Sequence, residues 1–291
     1  MKILAAVDGS DAAYHALRSA CRIAHKTSSS VVAFYVNKGP EYTPEETGWI
    51  SLTEKIASEL ETLGHEAIQK AYGIGREYSI PVEGIMSYGI PADEIVNYVT
   101  AHGIIKLIVM GHSLQGWGTP EFVESAARTV IARSRVPVLV TSAEIDVRRM
   151  LIAVDSSEAS KRVAEFGGRL AQSLGAELGI VAFVPDAEAM IGEYRLIAEV
   201  PNIEKHIESS EKDQKELLER ALETAKKVLD PMDVRVSTII KVGHADELLS
   251  EAPRYDSLVL GHRTDPHHPA RINRFAGKLL DTHSISVFFV Q

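Results

Sequence analysis

The chain is written twice. Lys2-Ile-Leu-Ala-Ala-Val-Asp8-Gly-Ser10 opens it and Arg149-Met-Leu-Ile-Ala-Val-Asp155-Ser-Ser157 reopens it, each an apolar run ending in Asp where a helix is due. Gly89-Ile-Pro-Ala-Asp93-Glu-Ile is answered by Gly243-His-Ala-Asp246-Glu-Leu, and Leu107-Ile-Val-Met-Gly111-His112 by Leu258-Val-Leu-Gly261-His262. Val136-Pro-Val-Leu-Val-Thr141 is answered by Ile285-Ser-Val-Phe-Phe-Val290. The offsets are 147, 154 and 150 residues (155 − 8, 243 − 89, 261 − 111). Landmarks repeated in one order with drifting loops imply a duplication, and a period this long means two like domains instead of a solenoid. The 291 residues give each copy enough chain for its own core. The short charged stretch 143–149 separates the copies, which sets domains at 1–143 and 149–291. A link that short holds its neighbours in fixed places.

Within each copy, Val/Ile-rich runs alternate with amphipathic segments, the signature of βαβ units and a parallel sheet. Strands are expected at 3–7, 30–36, 81–88, 105–111 and 137–141, then at 150–154, 177–184, 233–242, 257–261 and 286–290. Helices are expected at 12–24, 52–78, 92–101 and 122–133, with the longest of the second copy at 203–228. The strands are almost continuously apolar, as strands covered on both faces must be. Ser10 or Asp11 is placed to cap the first helix, and Leu52, Ile56, Leu60, Leu63 and Ile68 mark an apolar face on the second. The last strand, 286–290, needs cover for its edge. The matching strand 136–141 is the obvious partner, so the halves are expected to pair as a pseudo-dimer through their last strands.

Composition narrows the function. With 31 basic and 40 acidic side chains the net charge is −9, which disfavours bulk attraction to nucleic acid or anionic lipid. No run approaches the roughly 20 apolar residues that span a bilayer, and Asp8 interrupts the opening stretch before it could serve as a signal peptide. The single cysteine, Cys21, sits on a helical pattern with Leu17 and Ala24 and reads as a core residue. A cytoplasmic protein is expected.

These landmarks together resemble the tandem, two-domain form of the universal stress protein family, over essentially the whole chain. The resemblance implies doubly wound α/β domains, each with a five-stranded parallel sheet of the adenine nucleotide alpha hydrolase-like kind, paired through the last strand. It also implies a stress-response role, with ATP bound in some members and not in others. In the ATP-binding branch the fourth strand enters a loop of Gly, two residues, Gly, nine residues, Gly, then Ser or Thr. Backbone N–H groups there approach the phosphates, and the following helix offers its positive end. An Asp ending the first strand and a backbone group ending the second hold the sugar and base.

Here that pattern is damaged. Asp8, Val36, Gly111 and Ser125 stand in place, but Leu114 and Glu124 replace the middle and third glycines. A carboxylate beside triphosphate oxygens repels where a donor is needed. Gly116 and Gly118 offer a different nest. Asp8 serves either ribose binding or a cap on the first helix. In the second copy Asp155 and Gly261 are retained, while the loop beyond carries Arg263, His267, His268, Arg271, Arg274 and Lys278. That basic loop suits an anion or phosphorylated ligand, or is a solvated surface. His262, Asp265, His267 and His268 have zinc-compatible chemistry, but adjacent histidines rarely share one ion, and no metal is assigned. Trp117 and the segments 38–51 and 186–202, with Trp49, suit partner contact. No catalytic constellation stands out.

The favoured reading is a stress-response regulatory or adaptor protein with degenerate nucleotide loops, protein partners and a further homodimer left open. The alternatives are an ATP-binding sensor on the first copy, ATP being the one cofactor in question, or a binder of another phosphorylated ligand through the basic loop.

Overall fold

A computed structural model describes residues 1–38, 50–112, 126–155, 157–183, 211–242, 248, 251–262 and 285–291. They form two compact units, Met1–Val147 with His262–Gln291, and Arg148–Gly261.

The first unit runs β1 (Lys2–Val7), α1 (Asp11–Lys26), β2 (Ser30–Asn37), α2 (Ile50–Glu77), β3 (Val82–Tyr88), α3 (Pro91–Ala101), β4 (Ile105–Gly111), α4 (Ala126–Arg133) and β5 (Val138–Thr141). These five strands lie in the order β3-β2-β1-β4-β5, all parallel. Consecutive residues of β1, β2 and β4, such as Ile3-Leu4, Val31-Val32 and Ile108-Val109, are wholly buried. Their unbroken hydrophobicity therefore reflects a sheet covered on both faces. Helix α1 begins where Ser10 accepts a hydrogen bond from the Ala13 N–H at 3.2 Å, so Ser10 is the cap and Asp11 the first helical residue. It lays Ala13, Leu17, Cys21 and Ala24 into the core. Burial pushes the Cys21 thiol up to about 12, which leaves it an inert space-filler.

The second unit repeats the plan with β6 (Arg149–Val154), α5 (Glu158–Leu174), β7 (Glu177–Phe183), α6 (Glu211–Leu229), β8 (Val236–Val242) and β9 (Ser257–Gly261). Its strands are ordered β9-β6-β7-β8, again parallel. Gly175, at φ +65, ends α5 in the left-handed conformation that glycine adopts without strain. The first parts of the helices expected at 122–133 and 203–228 lie outside the described residues.

The closing strand β10 (Ser286–Val290) belongs to the second sequence copy but to the first compact unit. It runs antiparallel to β5, with Val287 opposite Val140, Phe288 opposite Leu139 and Phe289 opposite Val138. The expected pairing of the two last strands is present, and it draws the compact units apart at a different place from the sequence repeat. The link after β5 is fixed by side chains of α1 and by Tyr78, the residue just past α2. Glu144 accepts from Arg22 Nε at 2.5 Å and from the Tyr78 hydroxyl at 2.6 Å. The Ile145 N–H donates to Ser19 Oγ at 3.0 Å, and Lys26 pairs with Asp146 at 2.8 Å.

Candidate functional site

In the order β3-β2-β1-β4-β5 the chain reverses its winding between β1 and β4, the place where open α/β sheets bind ligands beyond the carboxyl ends of their strands. Val7 pairs with Tyr35, and Ala5 with Val109. Continuing those registers brings Asp8, Val36 and Gly111 together at one edge of three adjacent strands. In the second unit Val154 pairs with Ala182 and Ile152 with Val259, which places Asp155 and Gly261 at the equivalent edge.

The two aspartates are engaged in their own turns. Asp8 Oδ1 accepts from the Ser10 N–H at 3.0 Å and from the Ser10 hydroxyl at 2.6 Å. Gly9 makes this turn at φ +90. Asp155 Oδ1 accepts from the Ser157 N–H at 2.9 Å, from the Ser157 hydroxyl, and from the Ser160 hydroxyl at 2.7 Å. Ser160 Oγ also accepts from the Asp155 N–H at 2.7 Å, so the second turn is tied more tightly than the first. Ser160 stands where the first copy has Ala13. Through these contacts Asp8 organises the turn that leads into α1.

Both strand-end glycines have a packing role. A Cβ on Gly111 would lie 2.5 Å from the Ala12 carbonyl carbon and from the Ala13 nitrogen. One on Gly261 would lie 3.0 Å from Ala159 Cβ. The glycine is what lets β4 and β9 touch the helix that follows the first strand of each copy. The next residue extends the ladder in both cases: the His112 N–H donates to the Thr141 carbonyl at 2.9 Å, and the His262 N–H to the Val290 carbonyl at 2.7 Å. His262 is 1% exposed, and neither ring nitrogen has a hydrogen bond among the described residues. Burial holds its pKa below the usual imidazole value, which keeps the ring neutral. Val36 is half-buried in β2 opposite Ser87.

The repeated Gly-x-(Pro)-Ala-Asp-Glu segment is a helix start. Pro91 is the first residue of α3, Glu94 accepts from the Ser87 hydroxyl at 2.6 Å, and Asp93 pairs with Arg133. Proline and acids suit a helix N-terminus, where N–H groups are unpaired and the dipole is positive. Its counterpart at 243–247 lies outside the described residues.

The two edges differ in how they are filled. In the first unit Tyr14 on α1 and Tyr35 on β2 are buried, and Lys70 of α2 sits 3.8 Å over the Tyr14 ring. Burial, together with the Asp8 charge, raises both phenols above their ordinary pKa. The second copy has Lys161 and Ala182 in those places. There a cavity of about 360 Å³ opens between the turn at Asp155 and Ser157 and the α6 residues Leu217, Arg220, Glu223 and Thr224. Glu223 also pairs with Lys227 at 2.9 Å, and Arg220 with Glu216 at 3.4 Å.

Ser125, Arg263, Arg271 and Arg274 lie outside the described residues, as do Leu114, Glu124, Trp49, Trp117, Asp265, His267 and His268. Among the described residues no cluster of three His, Cys, Asp or Glu is arranged to hold a metal, and no helix is long and apolar enough to cross a membrane. Sequence reasoning missed Ser160, whose signal is the spacing Asp155, Ser157, Ser160. It also missed the α6 lining, which carries no signal short of knowing what α6 packs against.

The profile of the universal stress protein family matches residues 1–142 and again 146–291. Universal stress protein MJ0531 of Methanocaldococcus jannaschii is 31% identical over 141 residues, covering 48% of this chain and 80% of that one. Universal stress protein YxiE of Bacillus subtilis is 26% identical over 144 residues, covering 48% and 97%. The crystal structure of a universal stress protein from Archaeoglobus fulgidus superposes on the whole fold with a TM-score of 0.69 at 16% identity, covering 100% of this chain and 98% of that one. With both copies matched, the chain belongs to the universal stress protein family.

Proposed function

We propose that this protein is a stress-response regulator or adaptor that acts through its surfaces and whose nucleotide cradles have decayed into structural turns. The observation that carries the reading is the state of the two aspartates. Asp155 Oδ1 is occupied by three donors of its own turn and Asp8 Oδ1 by two. The sequence adds Leu114 and Glu124 where phosphate-binding glycines belong. Among the described residues the cavity beside Asp155 is lined by two acids and one arginine, a poor field for a triphosphate. On this reading the copies 1–143 and 149–291 act as one cytoplasmic pseudo-dimer built on the β5–β10 pairing, and its partners are proteins.

Isothermal titration with magnesium ATP and with ADP tests the reading. The expected result is no saturable binding tighter than about 1 mM. Micromolar binding of ATP that Asp8→Ala abolishes would overturn it.

A further inference from the structure

Where the two copies meet in sequence, the link ends in a pair of arginines. Arg148 and Arg149 are both exposed, and a trypsin-like protease seeks such side chains, because its cleft takes one cation ahead of the bond it cuts. The bond itself is cut only where the chain can leave its own hydrogen bonds and enter the protease extended.

Here the main chain lacks that freedom. The Arg148 N–H donates to Asp256 Oδ2 at 2.9 Å, and the Arg149 N–H donates to the same oxygen at 2.7 Å. The Arg148 carbonyl accepts from the Glu177 N–H at 2.8 Å, and the Arg149 carbonyl from the Asp256 N–H at 2.9 Å. All four polar groups of the pair's backbone are taken, three of them by Asp256. Bonds to a charged acceptor are also the stronger kind. The start of the first copy is built differently. Met150 pairs with Ser257 as Ile3 pairs with Leu107, so Lys106 stands where the second copy has Asp256. Its amine turns to the Gly103 carbonyl at 2.8 Å, and the Lys2 N–H meets the backbone carbonyl of Ile104 at 3.2 Å. The carboxylate is found at the strand that a link enters.

We propose that Arg148-Arg149 is a guarded cleavage site for an arginine-specific protease, with Asp256 as its guard. While Asp256 holds both N–H groups, the chain stays whole. Once that hold opens, hydrolysis of the Arg148–Arg149 bond consumes one water and leaves a carboxylate on Arg148 and an amine on Arg149. The cut divides the two sequence copies but leaves β10, carried by the later fragment, on the first compact unit. Val287, Phe288 and Phe289 keep their places opposite β5, so the product is two chains joined by that ladder.

The test digests the full chain briefly with trypsin and follows by mass spectrometry the fragments that end at Arg148 or Arg149. Wild type is expected to resist at both bonds despite the exposed side chains. Asp256→Ala should be cut there at least about tenfold faster, since proteolysis tracks the opened population. Asp256→Asn, which keeps an acceptor oxygen, should fall between the two, and Lys106→Ala should match wild type at the link. Circular dichroism and urea unfolding show which variants are folded; if Asp256→Ala is not, Asp256→Asn decides. Equal rates at the link in wild type and the folded Asp256 variants overturn the proposal, whether all are cut or all resist. Size exclusion of the cut protein should return both fragments in one peak, and fragments that part in native buffer overturn the two-chain product. Neither outcome depends on whether ATP binds.

Discussion

Thr141 Oγ1 and Ser286 Oγ lie 2.7 Å apart in a hydrogen bond that ties β5 to β10, both residues buried. The pair joins the last strand of one sequence copy to the last strand of the other, across 145 positions of chain. Thr141 Oγ1 also donates to the Ala143 carbonyl at 2.6 Å, so one hydroxyl serves both the strand pair and the start of the link. A buried hydroxyl stripped of its partner costs about 1–3 kcal/mol. Thr141→Val should therefore lower stability by that amount in urea unfolding. Because the two hydroxyls share one bond, Thr141→Val/Ser286→Ala should cost less than the two single changes added together.

The clamp on the link predicts a pH effect. Burial alone would raise the Glu144 pKa, but the hydrogen bonds from Tyr78 and Arg22 and the charges of Arg22 and Arg18 outweigh it and hold it below 4.5. A carboxylate depressed on folding contributes stability above its ordinary pKa and loses it as the pH falls through the folded value. Wild type should thus lose more stability than Glu144→Gln on acidification below 4.5, with the gap at neutral pH about 1 kcal/mol for this partly exposed group. Equal acid profiles of the two proteins in chemical denaturation would remove the clamp from the account.

Much of the fold could be read from the letters because its determinants are local. The apolar strands, the Ser10 cap and the helix start at Pro91 each declare themselves within a few residues. The pairing of β5 with β10 could be foreseen from the repeat and from an edge that needed cover. What escaped was set by contacts distant in sequence. Glu144 was read only as part of a charged link, since nothing near it announces Arg22 or Tyr78. The strand-end glycines resembled a phosphate loop, but Gly111 is held to glycine by Ala12 and Ala13, about a hundred residues earlier. The cavity by Asp155 is lined from α6 by Leu217, Arg220, Glu223 and Thr224, about sixty residues further along the chain, and nothing near Asp155 announces them.

The glycines give a graded prediction. A methyl group on Gly111 meets backbone, which has no room to yield, whereas on Gly261 it meets a side-chain methyl at 3.0 Å. Gly111→Ala should destabilise by about 1–3 kcal/mol, the usual cost of overpacking, and Gly261→Ala by less. Thermal melting of the two variants side by side measures the order. The reverse order would mean that α1 shifts away from β4 at little cost.

The aspartates give another. Asp155 gathers three donors and Asp8 two. If both are turn anchors, Asp8→Ala should cost about 1 kcal/mol, the ordinary net value of a hydrogen bond, and Asp155→Ala more. Chemical denaturation of each variant measures the losses. Full stability of both would return the aspartates to a ligand.

Native mass spectrometry of the protein as purified tests the central claim most directly, because it weighs whatever the molecule holds. The account predicts a main species at the mass of the bare chain, unchanged after incubation with magnesium ATP. A species heavier by one or two retained nucleotides would contradict it.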